Sequence, residues 1–440
     1  APTKAQQRTC KRRKDSTANS DIAFLSWSSG LSTPGSSLIP VVLPMSSPLV
    51  ILILSLLLGL QPVTTDLYLP ALPALTESFG AVPAQAQLTL TAVVLAFGVS
   101  QLLWGPLSDR VGRRRVLLLG LGGYTLAAVG CVFAGSIEML VVLRALQGAC
   151  MGAGTVCARA IVRDLYAPEA GARAMSKGLS GLGVAACLSP PLGGLIAEFF
   201  GWRAALFSLV LVGAAALYLI ARHFEETLHE RHPEALHPAV LARTAGQILG
   251  NGSFWAMALL SSATTGGLFC FLAASSFVFI EQYGFSMTAY GLVLLSVSAF
   301  YISGTLLCRY LVMHIGVKRA VVIGGVLSLT GGGLVAGLAL AGINSAWAII
   351  VPTWIYMLGH GIHQPCGQSG AIAPFPRTAG AASALAGFLM MVVAFASGRW
   401  VGAHMDGTTQ PLIMGMSFWS VAVALVAWVL VQRAGPGPAR

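Results

Sequence analysis

Twelve stretches of some twenty or more residues run through this sequence with almost no charged side chain inside them. They lie at 48–71, 84–107, 115–135, 138–161, 173–197, 202–222, 252–280, 287–311, 317–341, 345–373, 379–402 and 409–432. About 20 apolar residues at 1.5 Å each cross the roughly 30 Å hydrocarbon core of a bilayer. Lipid offers no partner to backbone N–H and C=O groups, so such segments satisfy them internally, as helices. The expected fold is an all-α membrane protein of twelve transmembrane helices. Composition agrees: 9% of the residues are charged, against about 25% in a soluble domain. Glycine supplies 51 of 440 residues, which suits close helix contacts in lipid. A disordered chain, a collagen-like fibre, a disulfide scaffold and a cytosolic enzyme are excluded.

The net charge of +11 does not indicate nucleic acid as a partner. The basic residues sit in short loops between apolar segments, where they set orientation in the bilayer. With the first span entering from the cytoplasm, seventeen Lys and Arg fall on the inner side and two, Arg203 and Arg399, on the outer side. This places both termini in the cytoplasm. One long polar break, 223–251, reads as a cytoplasmic linker between six-span bundles at 48–222 and 252–433, with tails at 1–47 and 434–440. A weak repeat supports the division. Gly112, Arg114, Arg115 and Gly120 recur 204 residues later as Gly316, Lys318, Arg319 and Gly324, which reads as duplication.

Residues 1–44 are rich in Ser and Thr and carry Lys11-Arg12-Arg13-Lys14. They are expected to be a disordered tail, with translation in the cell starting at Met45. An intact mass showing a native N-terminus upstream of Met45 would contradict the second point. The eight cysteines form no C-x-x-C pair and read as small buried hydrophobes, with no disulfide framework and no metal or cofactor site.

Four places carry chemistry. The run Thr64-Thr65-Asp66-Leu67-Tyr68-Leu69-Pro70 puts an ionisable residue in the first span between Pro62 and Pro70, which should distort the helix. A charge within a span costs about 2.5–3.5 kcal/mol on insertion scales, so its default reading is functional. Arg144 stands alone among Lys and Arg in lying deep inside a span. At helical rise, Asp66 lies about 26 Å from the inner end and Arg144 about 9 Å below the outer end, so both fall in the outer half. They are expected to neutralise each other or to face one aqueous cavity. Desolvation and a nearby guanidinium pull a carboxyl group in opposite directions, so it can load and release a proton. Gln147, one helical turn on, is placed to orient Arg144 or a water.

The third place runs from Gly105 to Arg115 and includes Asp109, Arg110, Gly112 and Arg113. Its Gly, Asp, Arg, Gly order exceeds what topology requires. Asp109 is expected to cap a helix or pair with an arginine, and the glycines to permit a tight turn. The fourth, Ser189-Pro190-Pro191-Leu192-Gly193-Gly194, should bend the fifth span and let another helix pack on the bend. His360 and His363 in the tenth span read as cavity lining rather than metal ligands. Gly148/Gly152 and Gly333/Gly337 read as intramolecular packing motifs. The sequence carries no P-loop, so ATP is not expected to drive transport from within this chain.

At these places the sequence resembles the major facilitator superfamily. Gly105–Arg115 matches its loop 2–3 signature, and Arg144, Gln147 and Gly148 its span-4 signature. Pro190, Gly193 and Gly194 match its antiporter span-5 signature, although Ser176, Ala185 and Ser189 stand where that pattern has glycine. Asp66 to Pro73, with Ala373-Pro374-Phe375-Pro376 and Ala379-Gly380, is similar to the bicyclomycin and chloramphenicol resistance subgroup of drug–proton antiporters.

The resemblance covers about 48–432. It implies two pseudo-symmetric six-helix bundles around a central cavity, and alternating access. It assigns proton handling to Asp66 with Arg144 and Gln147. It assigns an inter-bundle latch to Gly105, Asp109, Arg110, Gly112 and Arg113, and the antiporter bend to Pro190, Pro191, Gly193 and Gly194. A monomer in the bacterial inner membrane is expected, exporting small, largely apolar drugs against protons, with Tyr68, Asp66, His360 and His363 lining the substrate cavity. The main rival is a proton-coupled symporter importing a metabolite. A channel or a membrane-embedded enzyme stands further off, since no cluster of polar catalytic residues lies at one depth.

Overall fold

A computed structural model describes residues 47–228 and 237–434. The basic cluster, Met45, nearly all of both expected tails and part of the linker lie outside them. Every regular element among the described residues is helical. The first helix, α1 (Ser47–Asp66), is followed after a short break by α2 (Leu72–Ser78). Then come α3 (Pro83–Val111), α4 (Arg113–Val132), α5 (Ile137–Leu165), α6 (Pro168–Phe200) and α7 (Trp202–His223). A short helix, α8 (Pro238–Leu249), precedes α9 (Gly252–Ser276), α10 (Met287–Leu340), α11 (Trp347–Ile372), α12 (Ala379–His404) and α13 (Gln410–Leu425).

Ten of the described helical segments are long and apolar enough to cross a membrane. One of them, the 54-residue α10, breaks at Gly316 (φ 81°) and makes two crossings. The 26-residue α11 is long enough to span but carries His360, His363, Gln364 and Gln368. These give the twelve crossings expected, with ends shifted by a few residues. The duplicated glycines occupy matching places. Gly112 (φ 112°) joins α3 to α4 as Gly316 joins the two arms of α10. One turn-pair on, Gly120 faces Ala153 of α5 and Gly324 faces the His363 ring of α11.

Two features differ from expectation. The polar break contains α8, whose only buried side chain is Ile248, packed near Phe254, Ala371, Ala382 and Ala386. And Gly105 to Val111, read as loop, continues α3, so the connection to α4 is a single residue.

The helices pack as two groups, α1 with α3–α7 and α9 with α10–α13. In lipid this packing rests on close backbone approach rather than on hydrophobic exclusion. Gly148 of α5 seats on the Val93 carbonyl of α3, and Gly361 of α11 on the Tyr301 carbonyl of α10. Gly152 also packs on α3, at Ser100, but Gly333 and Gly337 face open space, and among the described residues that second motif makes no such close approach. Across the groups, α3 meets α12 and α6 meets α10. At the end away from the arginines one continuous apolar core takes Leu69, Leu72 and Leu75 from the first group and Phe271, Phe277 and Leu294 from the second. Toward the arginine-rich end the core separates into three clusters, one of which still packs Phe269, Met391 and Ala394 of the second group with Val93 and Phe97 of the first. The apolar core shared by the two groups is most extensive at the charge-poor end.

Candidate functional site

Prolines make the site. Pro62 lies inside α1, and Pro70 and Pro73 follow it. Proline donates no hydrogen bond and pushes the residue before it out of helical geometry. α1 stops at Asp66, and a 3-10 turn, Leu69–Ala71, leads into α2. Such a stop leaves terminal carbonyls without helical donors. The Thr64 carbonyl takes a hydrogen bond from Arg144 Nη2 of α5 at 2.9 Å.

Arg144 is fully buried, as is Gln147, whose Oε1 accepts from Arg144 Nη1 at 2.7 Å. The guanidinium carbon stands 4.1 Å from the Tyr68 ring centroid, within cation–π range. Thr89 of α3 ties down the Tyr68 hydroxyl at 2.8 Å, and Tyr124 of α4 meets the Thr64 hydroxyl at 2.8 Å. Arg144 Nε and Gln147 Nε2 are buried without a partner.

Asp66 lies beside this network and not in it. Its Oδ1 accepts from Thr65 Oγ1 at 2.6 Å, and the residue is half-buried. Among the described residues no carboxylate comes within 4.0 Å of Arg144. Direct neutralisation, one of the two arrangements expected, is therefore absent in this conformation: Thr64, Gln147 and Tyr68 occupy the guanidinium instead. Asp66, half-buried and with no direct bond to Arg144, stands two residues along from the Thr64 carbonyl that holds the guanidinium, so a titratable carboxyl and a buried cation share the α1 break.

The turn after α3 is a charge network. Asp109 Oδ1 pairs with Arg113 Nη1 at 2.7 Å and with Arg163 at 3.4 Å. Arg113, 1% exposed, also reaches Asp164 Oδ2 of α5 at 3.0 Å and Ser108 Oγ at 2.7 Å. Glu226, just past α7, accepts from the backbone N–H of Arg113 at 2.8 Å and of Arg114 at 3.2 Å, capping α4. A Cβ on Gly112 would strike that carboxylate. Arg110 is exposed at the end of α3, and Gly105 lies within α3 at ordinary distance from Val156, so no tight approach requires its glycine. The network stays within the first group. Contact with the second passes through Arg159, which donates to Ser383 Oγ of α12.

Gly112→Ala is expected to destabilise the protein by about 1–3 kcal/mol, because its backbone conformation is nearly confined to glycine. Thermal unfolding in micelles checks this against Gly122→Ala, whose site is open.

The Pro190–Gly194 stretch, where a bend was expected, lies within one continuous helix, α6, and serves two neighbours. Gly193 abuts the Leu67 carbonyl at the α1 break, while Gly194 abuts the Met287 carbonyl at the start of α10. Gly291 in turn seats on Pro190 and Pro191. One helix was expected at this bend; the paired glycines instead hold one each. Tyr68, expected in the substrate cavity, is fully buried against Arg144. His360 Nδ1 lies 2.9 Å from Thr264 Oγ1, and His363 Nε2 lies 3.1 Å from the Val321 carbonyl oxygen. Both are buried within the second group, and His363 has no accessible surface to offer a cavity.

Sequence reasoning named Thr64 only as part of the Asp66 run and passed over Tyr124, Thr89, Asp164 and Glu226. Asp164 carried a signal, being one of only 15 acidic residues and adjacent to Arg163 at a span end. The others carried none.

The model of the Major Facilitator Superfamily matches residues 54–398. The chain is 30% identical over 348 residues to Multidrug resistance protein D of Escherichia coli (strain K12), covering 78% of this chain and 85% of that protein. It is 29% identical over 328 residues to Chloramphenicol resistance protein of Pseudomonas aeruginosa, covering 73% and 75%. Among solved structures, a D-xylose-proton symporter superposes with a TM-score of 0.67 at 15% identity, over 88% of this chain and 98% of that one. That likeness is one of fold. The chain belongs to the Major Facilitator Superfamily. It is an integral membrane protein with that family's all-α transporter fold.

Proposed function

We propose that this chain exports small, largely apolar drugs in exchange for protons by alternating access, as a monomer in the bacterial inner membrane. The observation that carries the reading is the half-buried Asp66 at the break of α1, beside a buried Arg144 with no carboxylate partner. The drug-resistance names of the two relatives support the substrate class. Positive charges cluster in cytoplasmic loops, so the arginine-rich end is cytoplasmic, with both termini there. The groups at 48–222 and 252–433 rock against each other about the drug. Asp66 carries the proton, and Arg144, held by Gln147, sets its affinity. Each 100 mV of potential supplies about 2.3 kcal/mol per charge moved, and the proton gradient adds to it. The charge network from Asp109 through Arg113 steadies the cytoplasmic end when that side closes.

Proteoliposomes test this. An imposed acid-outside gradient should drive a fluorescent drug and protons in opposite directions. Drug movement with no proton movement refutes antiport, and co-directional movement favours symport. Asp109→Asn is expected to slow transport about tenfold, the worth of one partly exposed charge-assisted hydrogen bond, while equilibrium drug binding persists. Binding lost in the same proportion would contradict the latch role.

A further inference from the structure

The charge-poor end, the outer end on the reading above, is closed by a contact that no motif marks. Glu198, near the end of α6, reaches across to the first turn of α10, where its Oε2 accepts from the Thr288 N–H at 2.8 Å. That N–H belongs to a helix start, whose donors have no partner within the helix. A carboxylate there gains from the helix dipole as well as from the hydrogen bond. The contact joins the two groups of helices. Beside it Gly194 meets the Met287 carbonyl and Gly291 meets Pro190; elsewhere across the groups Gln87 of α3 donates to the Ala273 carbonyl of α9. These neighbours are neutral packing and amide contacts. Among the described residues, Glu198 contributes the one ionised side chain bonded across the two groups at this end.

Alternating access requires the two groups to part at the outer end, since rigid halves rock about a fixed centre. α6 and α10 are the helices in contact there, so their separation breaks the Glu198–Thr288 bond. We propose that Glu198 is the outer latch, a positioning residue that holds the transporter closed to the outside until the halves rock. The proposal rests on alternating access but not on the identity of the drug or the coupling ion.

The test uses the full chain with its native cysteines replaced by alanine and one cysteine introduced by Leu294→Cys. Leu294 is 3% exposed within the outer apolar core. Right-side-out vesicles, with neither drug nor gradient, receive a membrane-impermeant maleimide, and labelling reports outward opening. Glu198→Ala should label about three- to tenfold faster, somewhat less than a buried charged hydrogen bond is worth because the group is exposed. Glu198→Lys, which repels the helix start, should label faster still. Glu198→Gln, whose amide oxygen still accepts from Thr288, should stay within about twofold of the parent. Labelling of the Ala and Lys variants at the parent rate, in folded protein that still exports drug, overturns the latch and leaves the export reading standing. Faster labelling without any drug export by the parent keeps the latch and overturns the export reading.

Discussion

Asp66→Asn is expected to abolish proton-driven drug accumulation while leaving the protein folded. The substitution changes little but charge: asparagine has the same size, and its side-chain oxygen still accepts the bond from Thr65 Oγ1 that Asp66 makes at 2.6 Å. The α1 break is set by Pro62, Pro70 and Pro73 and by Gly193 against the Leu67 carbonyl. None of these depends on a carboxylate. What asparagine lacks is a group that can lose and regain a proton at physiological pH. With 100 mV across the membrane, about 2.3 kcal/mol per charge supports roughly a fiftyfold drug gradient. In proteoliposomes that gradient should vanish in the variant, whereas drug-for-drug exchange without a gradient should continue. Full accumulation by Asp66→Asn would remove this residue from coupling. Loss of exchange as well would mean that Asp66 binds the drug rather than the proton.

The twelve crossings were legible because membrane burial writes itself into composition: a span must be long and apolar whatever its neighbours. The break at Asp66 was legible because proline acts locally. Contacts made at long range were not. Glu226 caps α4 across more than a hundred positions of sequence, and Glu198 reaches Thr288 across ninety. Neither acid stands in a motif, and nothing local distinguishes it from any hydrated helix end. The two Gly-x-x-x-Gly pairs show the same limit. Gly148 and Gly152 press on α3 while Gly333 and Gly337 face outward, since spacing sets a shared helix face but not what that face meets. The helix α8 was hidden because twelve residues among polar neighbours give too short an apolar stripe. The Asp66–Arg144 pairing was overdrawn for a related reason: depth arithmetic places two residues at one level but is silent on azimuth. A carbonyl freed by the α1 break, which no side-chain pattern announces, took the guanidinium instead.

Arg144→Met should separate stability from function, with the two moving in opposite directions. The guanidinium is fully buried, and among the described residues its Nε has no partner and no carboxylate lies within 4.0 Å. A buried charge of this kind costs the folded state several kcal/mol, only partly offset by the Thr64 carbonyl, Gln147 and the Tyr68 ring. Methionine fills similar length with an adaptable apolar chain. It leaves the Thr64 carbonyl and the Gln147 amide unpaired, at about 1–3 kcal/mol each, and removes a desolvated cation whose cost of several kcal/mol offsets both. Thermal unfolding in micelles should therefore show a midpoint equal to or above the parent's. Proton-coupled transport should be lost, because the proposed mechanism uses this fixed charge to set the proton affinity of Asp66. Lysine at the same position retains the charge but not the planar fork that serves Thr64 and Gln147 together, so it should restore little of the transport. An Arg144→Met protein that unfolds several degrees early and transports in proportion to its folded fraction would make Arg144 a structural strut, and the case for a proton site at the α1 break would fall with it.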